Sequence, residues 1–313
     1  LGMKGDLLCA DFNLRRISRH RLTRDGSSYT ATTSTFLESD QSDFHPTDVI
    51  EDADGSLLVA DTGSWYMICC PTSKVAKPHV LGAIYRVRKE HSPVPKDPRG
   101  LELDWKQPAI SWLSDERPAV VKRAIEALAR MGNIDELRSA KARLPALWTL
   151  HRIPGEAARK AGREFLSAEG SEVRAAAIHS AGLWRDPAAV DPLIELLASS
   201  DGPQRRLAAM ALGRIGDRRA AKPLLAAGSG EGDAFLKHAI IYALYEIGDI
   251  PGLPEDHPLA KQVRLMHQVD QRTPTPHVMP KIQPADDLEP DPDTLVLQRK
   301  RLAELAALLP KGD

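Results

Sequence analysis

Apolar and polar positions change period near residue 90 of the chain. Before that point apolar residues gather in short runs: Leu7–Asp11, Arg16–Leu22, Thr30–Leu37, Val49–Glu51, Leu57–Asp61, Trp65–Cys69 and Ala83–Val87. Runs of this length, rich in β-branched, aromatic and aliphatic residues, predict strands. Asp25-Gly26, Asp54-Gly55 and Thr62-Gly63 provide turn chemistry between them, and Asp54-Gly55 predicts a hairpin. The spacing predicts four-stranded antiparallel units, of which the chain holds about one and a half.

Residues 91–100, HSPVPKDPRG, sustain neither helix nor central strand, because three prolines and a glycine fall within them. A Pro-rich linker is expected over 91–107. Beyond it the period becomes helical. Val173–Asp186, Gln204–Asp217 and Leu236–Asp249 align without gaps, 31 and 32 residues apart. Leu207, Ala208, Ala211, Leu212 and Ile215 share one helix face, as do Leu236, Ala239, Ile240, Ala243, Leu244 and Ile247. Gly216 and Gly248 suit the left-handed residue that closes a helix, and the Asp after each suits a cap. Asp186-Pro187 reads as a cap followed by a first helical turn. Shorter helices are expected at Ala188–Ala198 and Ala220–Ala227, and less regular ones at Val120–Met131 and Leu144–Ile153. Helix, turn and helix at a fixed period predict an α-solenoid over 108–250. From Pro251 the periodicity fades. Residues 251–313 read as a Pro- and acid-rich connector, with five acids inside Pro284–Asp293, and a terminal amphipathic helix at Thr294–Leu309.

Composition sharpens this picture. A formal net charge of -1 argues against general nucleic-acid binding. Aromatics are only 5% of residues, which suits close helix packing better than a large β-sandwich. No run reaches the ~18–20 apolar residues of a membrane span. No secretory signal is visible, but the chain opens on Leu1 in strand-like text, so a missing natural start is expected and the compartment stays open. Cys9, Cys69 and Cys70 match no metal or disulfide framework. They read as small buried hydrophobes, with a Cys9 bridge to Cys69 or Cys70 open if the protein is exported.

The helical repeats resemble the short HEAT-like repeats also found in phycobilisome lyases. In the strand-rich part, DFNLRRISRHRL (11–22), DFHPTDVIEDADGSLLVADTGSWY (43–66) and CPTSKVAKPHVLGAIYRVR (70–88) resemble the end of a β-propeller. That propeller occurs in the PVC-type haem-binding CxxCH family, also called the membrane-bound dehydrogenase domain family. The family joins a propeller similar to glucose/sorbosone dehydrogenases, a HEAT-like array and a C-terminal cytochrome c module, and LLPKGD (308–313) resembles the lead-in to that module. The resemblance implies a periplasmic or exported parent protein, a quinone cofactor and haem c. This chain lacks CxxCH, so covalent haem attachment is excluded for it, and it lacks most of a propeller.

The resemblance sets the candidate chemistry. His45 and Asp48 would sit at a blade's entry strand, and Asp61 at a following turn. A His with two carboxylates serves proton abstraction from an alcohol or cation binding; equally, Asp48 and Asp61 cap turns and His45 is structural. Arg15, Arg16, Arg19, Arg21 and Arg24 line an anionic site or form a solvated strand face. Arg205, Arg206, Arg214, Arg218, Arg219 and Lys222 form a candidate interaction patch for an acidic partner or the chain's own Pro284–Asp293 connector, or a solvated convex face. Trp148 and Trp184 fall at helical core spacing. The expected architecture is a partial β-propeller (1–90) followed by an α-solenoid of HEAT-like repeats. The expected role is a non-catalytic, protein-binding segment of a larger propeller–HEAT protein, with no cofactor of its own. The alternative is part of a quinone- and haem c-linked dehydrogenase oxidising sugar-like alcohols.

Overall fold

A computed structural model describes residues 3, 5–63, 81–91, 93–229, 233–248 and 253–272. The predicted strand Trp65–Cys69 and helix Thr294–Leu309, and the Pro284–Asp293 connector, lie outside the described residues. The chain divides into two compact units, Leu1–Val263 and Arg264–Asp313.

Two small antiparallel sheets precede the helices. The first holds β1 (Leu7–Asp11), β2 (Arg16–Asp25) and β3 (Ser28–Glu38) in that order. The second holds β4 (Pro46–Glu51), β5 (Leu57–Asp61) and β6 (Ala83–Val87). Neither closes into a barrel. Each has three strands among the described residues, not four, and β5 pairs directly with β6, from Leu57 opposite Val87 to Asp61 opposite Ala83. Ile17, Phe44 and Val59 form a small apolar core, flanked by Leu8, Phe36, Val49 and Val87.

The β2–β3 hairpin is longer than its apolar run predicts. Its two-residue loop, Gly26-Ser27, extends the ladder out to Asp25 opposite Ser28. Gly26 takes φ +56°, as a tight hairpin loop requires at its first central position. At the β4–β5 turn the Asp54 carboxylate accepts the Ser56 N–H at 3.0 Å, and Gly55 takes φ +76°.

Ten α-helices follow among the described residues: α1 (Pro118–Met131), α2 (Ile134–Ser139), α3 (Arg143–Arg152), α4 (Glu156–Arg163), α5 (Ser171–Leu183), α6 (Val190–Leu196), α7 (Gly202–Ile215), α8 (Ala221–Gly228), α9 (Ala234–Ile247) and α10 (Pro258–Arg272). The odd-numbered helices from α1 to α9 pack in succession, each against the next. The shorter even-numbered helices α2, α4, α6 and α8 connect them. One continuous core runs through the stack, from Leu113 to Val263, and includes Leu147, Ile178, Leu212 and Leu244. Two pairs of helices, α5 with α7 and α7 with α9, approach closely at glycines. A Cβ on Gly182 would lie 3.0 Å from the Ala211 Cα, and one on Gly213 would lie 2.6 Å from the Ala243 Cα.

The predicted caps form where the carboxylate reaches a free N–H. Asp186 accepts the Ala188 N–H at 3.1 Å and Asp217 accepts the Arg219 N–H at 2.9 Å. Gly216 is left-handed, at φ 78° and ψ 17°. Gly248 differs, with φ 89° and ψ -148°, so it ends α9 without the left-handed closure its sequence suggests. Helix α10 stands where the sequence periodicity fades. His257 caps it, its Nδ1 accepting the Leu259 N–H at 3.3 Å, and Leu259, Ala260 and Val263 join the core.

Candidate functional site: an interaction surface on the repeats

His45 and Asp61 are both buried, at 7% and 8% exposure, and are drawn together through the main chain. The Asp61 carboxylate accepts the His45 N–H and the Gly63 N–H, each at 2.8 Å, and the Tyr85 hydroxyl lies at 3.4 Å. The His45 ring nitrogen Nδ1 sits 2.6 Å from the Gly63 carbonyl, and the ring rests 4.6 Å from Phe12. Asp48 stands apart. It is exposed, and its carboxylate accepts the Val49 N–H at 2.8 Å. Together these contacts bind β4 to the end of β5. The sequence holds no CxxCH, the motif through which haem c is attached covalently. Among the described residues no group of three His, Cys, Asp or Glu side chains is placed to hold a metal ion. Cys9 is exposed and carries a free thiol.

The basic residues of β2 are largely paired. Arg16 meets Asp11 at 3.1 Å and Arg19 pairs with Asp6. The Asp11 carboxyl lies below its ordinary range because the Ser18 hydroxyl and Arg16 both hydrogen-bond to it. Arg24 reaches much further, to Asp201 at 3.5 Å. Beside it the backbone N–H of Ser27 donates to Asp233. The tip of the β2–β3 hairpin therefore rests on the N-terminal ends of α7 and α9. Asp201 and Asp233 cap those helices as well, accepting the Gln204 N–H at 3.3 Å and the Phe235 N–H at 2.8 Å. A Cβ at Gly202 would stand 2.8 Å from the Gly26 carbonyl oxygen, so two glycines let the backbones meet. Sequence reasoning missed Asp201 and Asp233. Their signal was available, since they stand 32 residues apart, each one position before a repeat helix.

The six residues of the basic patch divide by role. The Arg205 guanidinium donates to the Leu197 carbonyl at 3.0 Å and the Ala227 carbonyl at 3.3 Å, stapling α7 to its neighbours. Arg206 and Arg214 are half-buried on α7. Arg219 is held by Asp217 at 2.9 Å and Asp191 at 3.0 Å. Arg218 and Lys222 are exposed. These last three line an open groove together with Leu225, Ala226, Leu253, Pro254 and His257. The His257 Nε2 and Ser229 Oγ lie 3.0 Å apart at its edge. Sequence spacing could not place residues 253–257 beside 218–222.

A second polar cluster lies between α3 and α5. His151 Nδ1 is 2.8 Å from the Ser180 hydroxyl, and the Trp184 indole N–H donates to the His151 carbonyl at 3.1 Å. Burial, with the charge of Arg152 and then His179 nearby, holds the His151 pKa below its ordinary value. Asp186 borders the same small cavity, but its carboxylate is bound by Arg163 at 2.6 Å and not by His151. The three residues therefore do not form a relay in which a carboxylate orients the histidine. They knit successive repeats together. Trp148 packs half-buried against the core, while Trp184 is 37% exposed.

A HEAT-repeat family model matches residues 134–209 and again 161–245. The matched stretch runs from the start of α2 into the last turn of α9. The fold and the match agree: residues 134–245 form HEAT-like repeats, a class of structure that commonly mediates protein interactions. No curated protein matches the chain. Among the described residues no helix is long and apolar enough to cross a membrane.

Proposed function

We propose that the chain is a non-catalytic scaffold segment of a larger propeller–HEAT protein, in which the repeats hold a protein partner or a flanking domain. The observation that carries this reading is the unbroken succession α3, α5, α7, α9 over the stretch matched by HEAT repeats. Stacked repeats present a long surface of regularly spaced side chains, which suits docking. The propeller part of the reading is supported by two small sheets joined through Ile17, Phe44 and Val59, as neighbouring blades would be. Propellers need typically 4–8 blades, so most of the ring would come from other sequence. Domain limits at 1–90, 91–107, 108–250 and 251–313 belong to the same proposal.

Recovering the coding sequence on both sides tests it. Further strand-rich units before residue 1 are expected. Flanks without any such unit overturn the propeller reading and leave the HEAT-like array standing. The dehydrogenase alternative rests on His45 with Asp61, both buried at one rim of the second sheet. It requires CxxCH in the sequence after Asp313, and dye reduction with added quinone cofactor that disappears in His45→Ala.

A further inference from the structure

An open groove lies beside α8, and its reading as a docking site rests on the scaffold function proposed above. Its volume is about 640 Å³. One wall carries Arg218, Arg219 and Lys222, and the floor is formed by Ala221, Leu225, Ala226, Leu253 and Pro254. The wall is electrostatically unbalanced. Arg219 is fixed in place by Asp191 and Asp217, but no ion pair engages Arg218 or Lys222 among the described residues. The sequence reaches the same place by another route, since Arg218, Arg219 and Lys222 fall on consecutive turns of one repeat.

We propose that this groove receives an acidic, amphipathic segment of a partner protein, with an apolar side chain seated on Leu225, Ala226 and Leu253 and carboxylates facing Arg218 and Lys222. Charge complementarity selects this occupant. A purely apolar segment would leave two exposed cations beside it without partners, and a purely charged one would leave the apolar floor in water. The chain as a whole is nearly neutral, so the positive wall does not simply reflect an overall basic charge. Arg219 is already held by its two aspartates, which leaves Arg218 and Lys222 as the groove's cations for an incoming carboxylate.

The test uses the full chain and a fluorescein-labelled peptide of alternating glutamate and leucine, read by fluorescence anisotropy. Two controls replace leucine by serine or glutamate by lysine. The expected result is saturable binding of the glutamate–leucine peptide, weakened at least about tenfold by either control. The double variant Arg218→Glu/Lys222→Glu should weaken it as much. So should Ala226→Glu, which places a carboxylate on the floor at an exposed helix position. Circular dichroism of each variant should match the parent, which separates lost binding from lost folding. Equal binding of the serine control overturns the proposal, because charge alone would explain it. No binding, binding indifferent to both variants, or tighter binding of a DNA oligomer with the same sensitivity also overturns it. The wider scaffold reading is decided separately, by the flanking sequence.

Discussion

The contact between the β2–β3 hairpin and the repeats gives the sharpest prediction, at Asp233. This carboxylate does two things at once. It caps α9 through the Phe235 N–H at 2.8 Å and the Leu236 N–H at 3.3 Å, and it accepts the backbone N–H of Ser27. Asp233→Ala removes both. Losing the cap costs about 1 kcal/mol. Ser27 is only 1% exposed, so its N–H is left buried without an acceptor, at about 1–3 kcal/mol. The expected loss is about 2–4 kcal/mol, of which the Ser27 part corresponds to a local opening about 5–150-fold more frequent. Asp233→Asn keeps one oxygen, enough to cap α9, but turns an amide N–H toward the Ser27 N–H, so it should recover the cap and not the Ser27 contact. Amide hydrogen exchange at Ser27 reads the contact directly, and urea unfolding of all three proteins reads the total. Faster exchange at Ser27 is expected in both Asp233→Ala and Asp233→Asn, with Asp233→Asn the more stable of the two in urea because it keeps the cap. If Ser27 exchanges equally in all three proteins, the hairpin does not bear on α9 and the reasoning fails. Acidity offers a second check. Burial pushes the Asp233 pKa up, but hydrogen bonds from Ser27, Leu236 and Phe235 outweigh it and the net shift is downward. A carboxyl depressed by folding contributes fully above its unfolded pKa of about 4 and loses that contribution as pH falls through the folded value.

Gly213→Ala should destabilise the stack by about 1–3 kcal/mol despite the better helix propensity of alanine, because the new methyl would meet the Ala243 backbone at 2.6 Å; a variant as stable as the parent in urea would refute the close approach. Arg163→Ala strips the partner from Asp186, which is 3% exposed, and should cost about 3 kcal/mol or more by the same measurement, with no loss counting against a buried pair. The Asp54 carboxyl, bonded first by Ser56 and faced by Arg88 and Arg86, should titrate near its value of about 2 in carbon-detected NMR. Whatever Asp54 adds to stability is therefore present above about pH 4 and disappears as pH falls toward 2, so a midpoint near 4 would contradict this arrangement.

The helices were legible where one residue pattern and one cap agreed. Gly216 with Asp217, and Asp186 with Pro187, combine a closing or opening signal with a full apolar face, and each boundary falls within a few residues of its sequence reading. Short elements were not legible. Helix α2 spans only six residues and has one buried side chain, Leu137, so no periodicity can accumulate. In α4 the buried residues are Ala158 and Ala161, which sequence patterning barely distinguishes from a polar run. Helix α10 failed for a related reason, because only Leu259, Ala260 and Val263 mark its buried side, amid proline-rich text. Its stability comes from seating against the preceding repeat, which a local window does not contain.

The candidate surface follows the same division, and one residue pair makes the physical reason plain. Arg218 and Lys222 were visible because they are close in sequence and fall with Arg219 in one basic run. Their neighbours in the groove, Leu253 and Pro254, come from beyond α9, where nothing local marks them as one wall of a site. Likewise Ser27 and Asp233 are 206 positions apart, and neither has an unusual sequence context. What joins each pair is the stacking of whole repeats, which carries α9 and the segment after it back over α8. A surface built between repeats therefore becomes readable only once the register of the stack is known. The same stacking explains why Arg205 left the patch. The α7 helix points it at the Leu197 and Ala227 carbonyls, so a charge that reads as solvent-facing in sequence serves instead to tie two helix ends together.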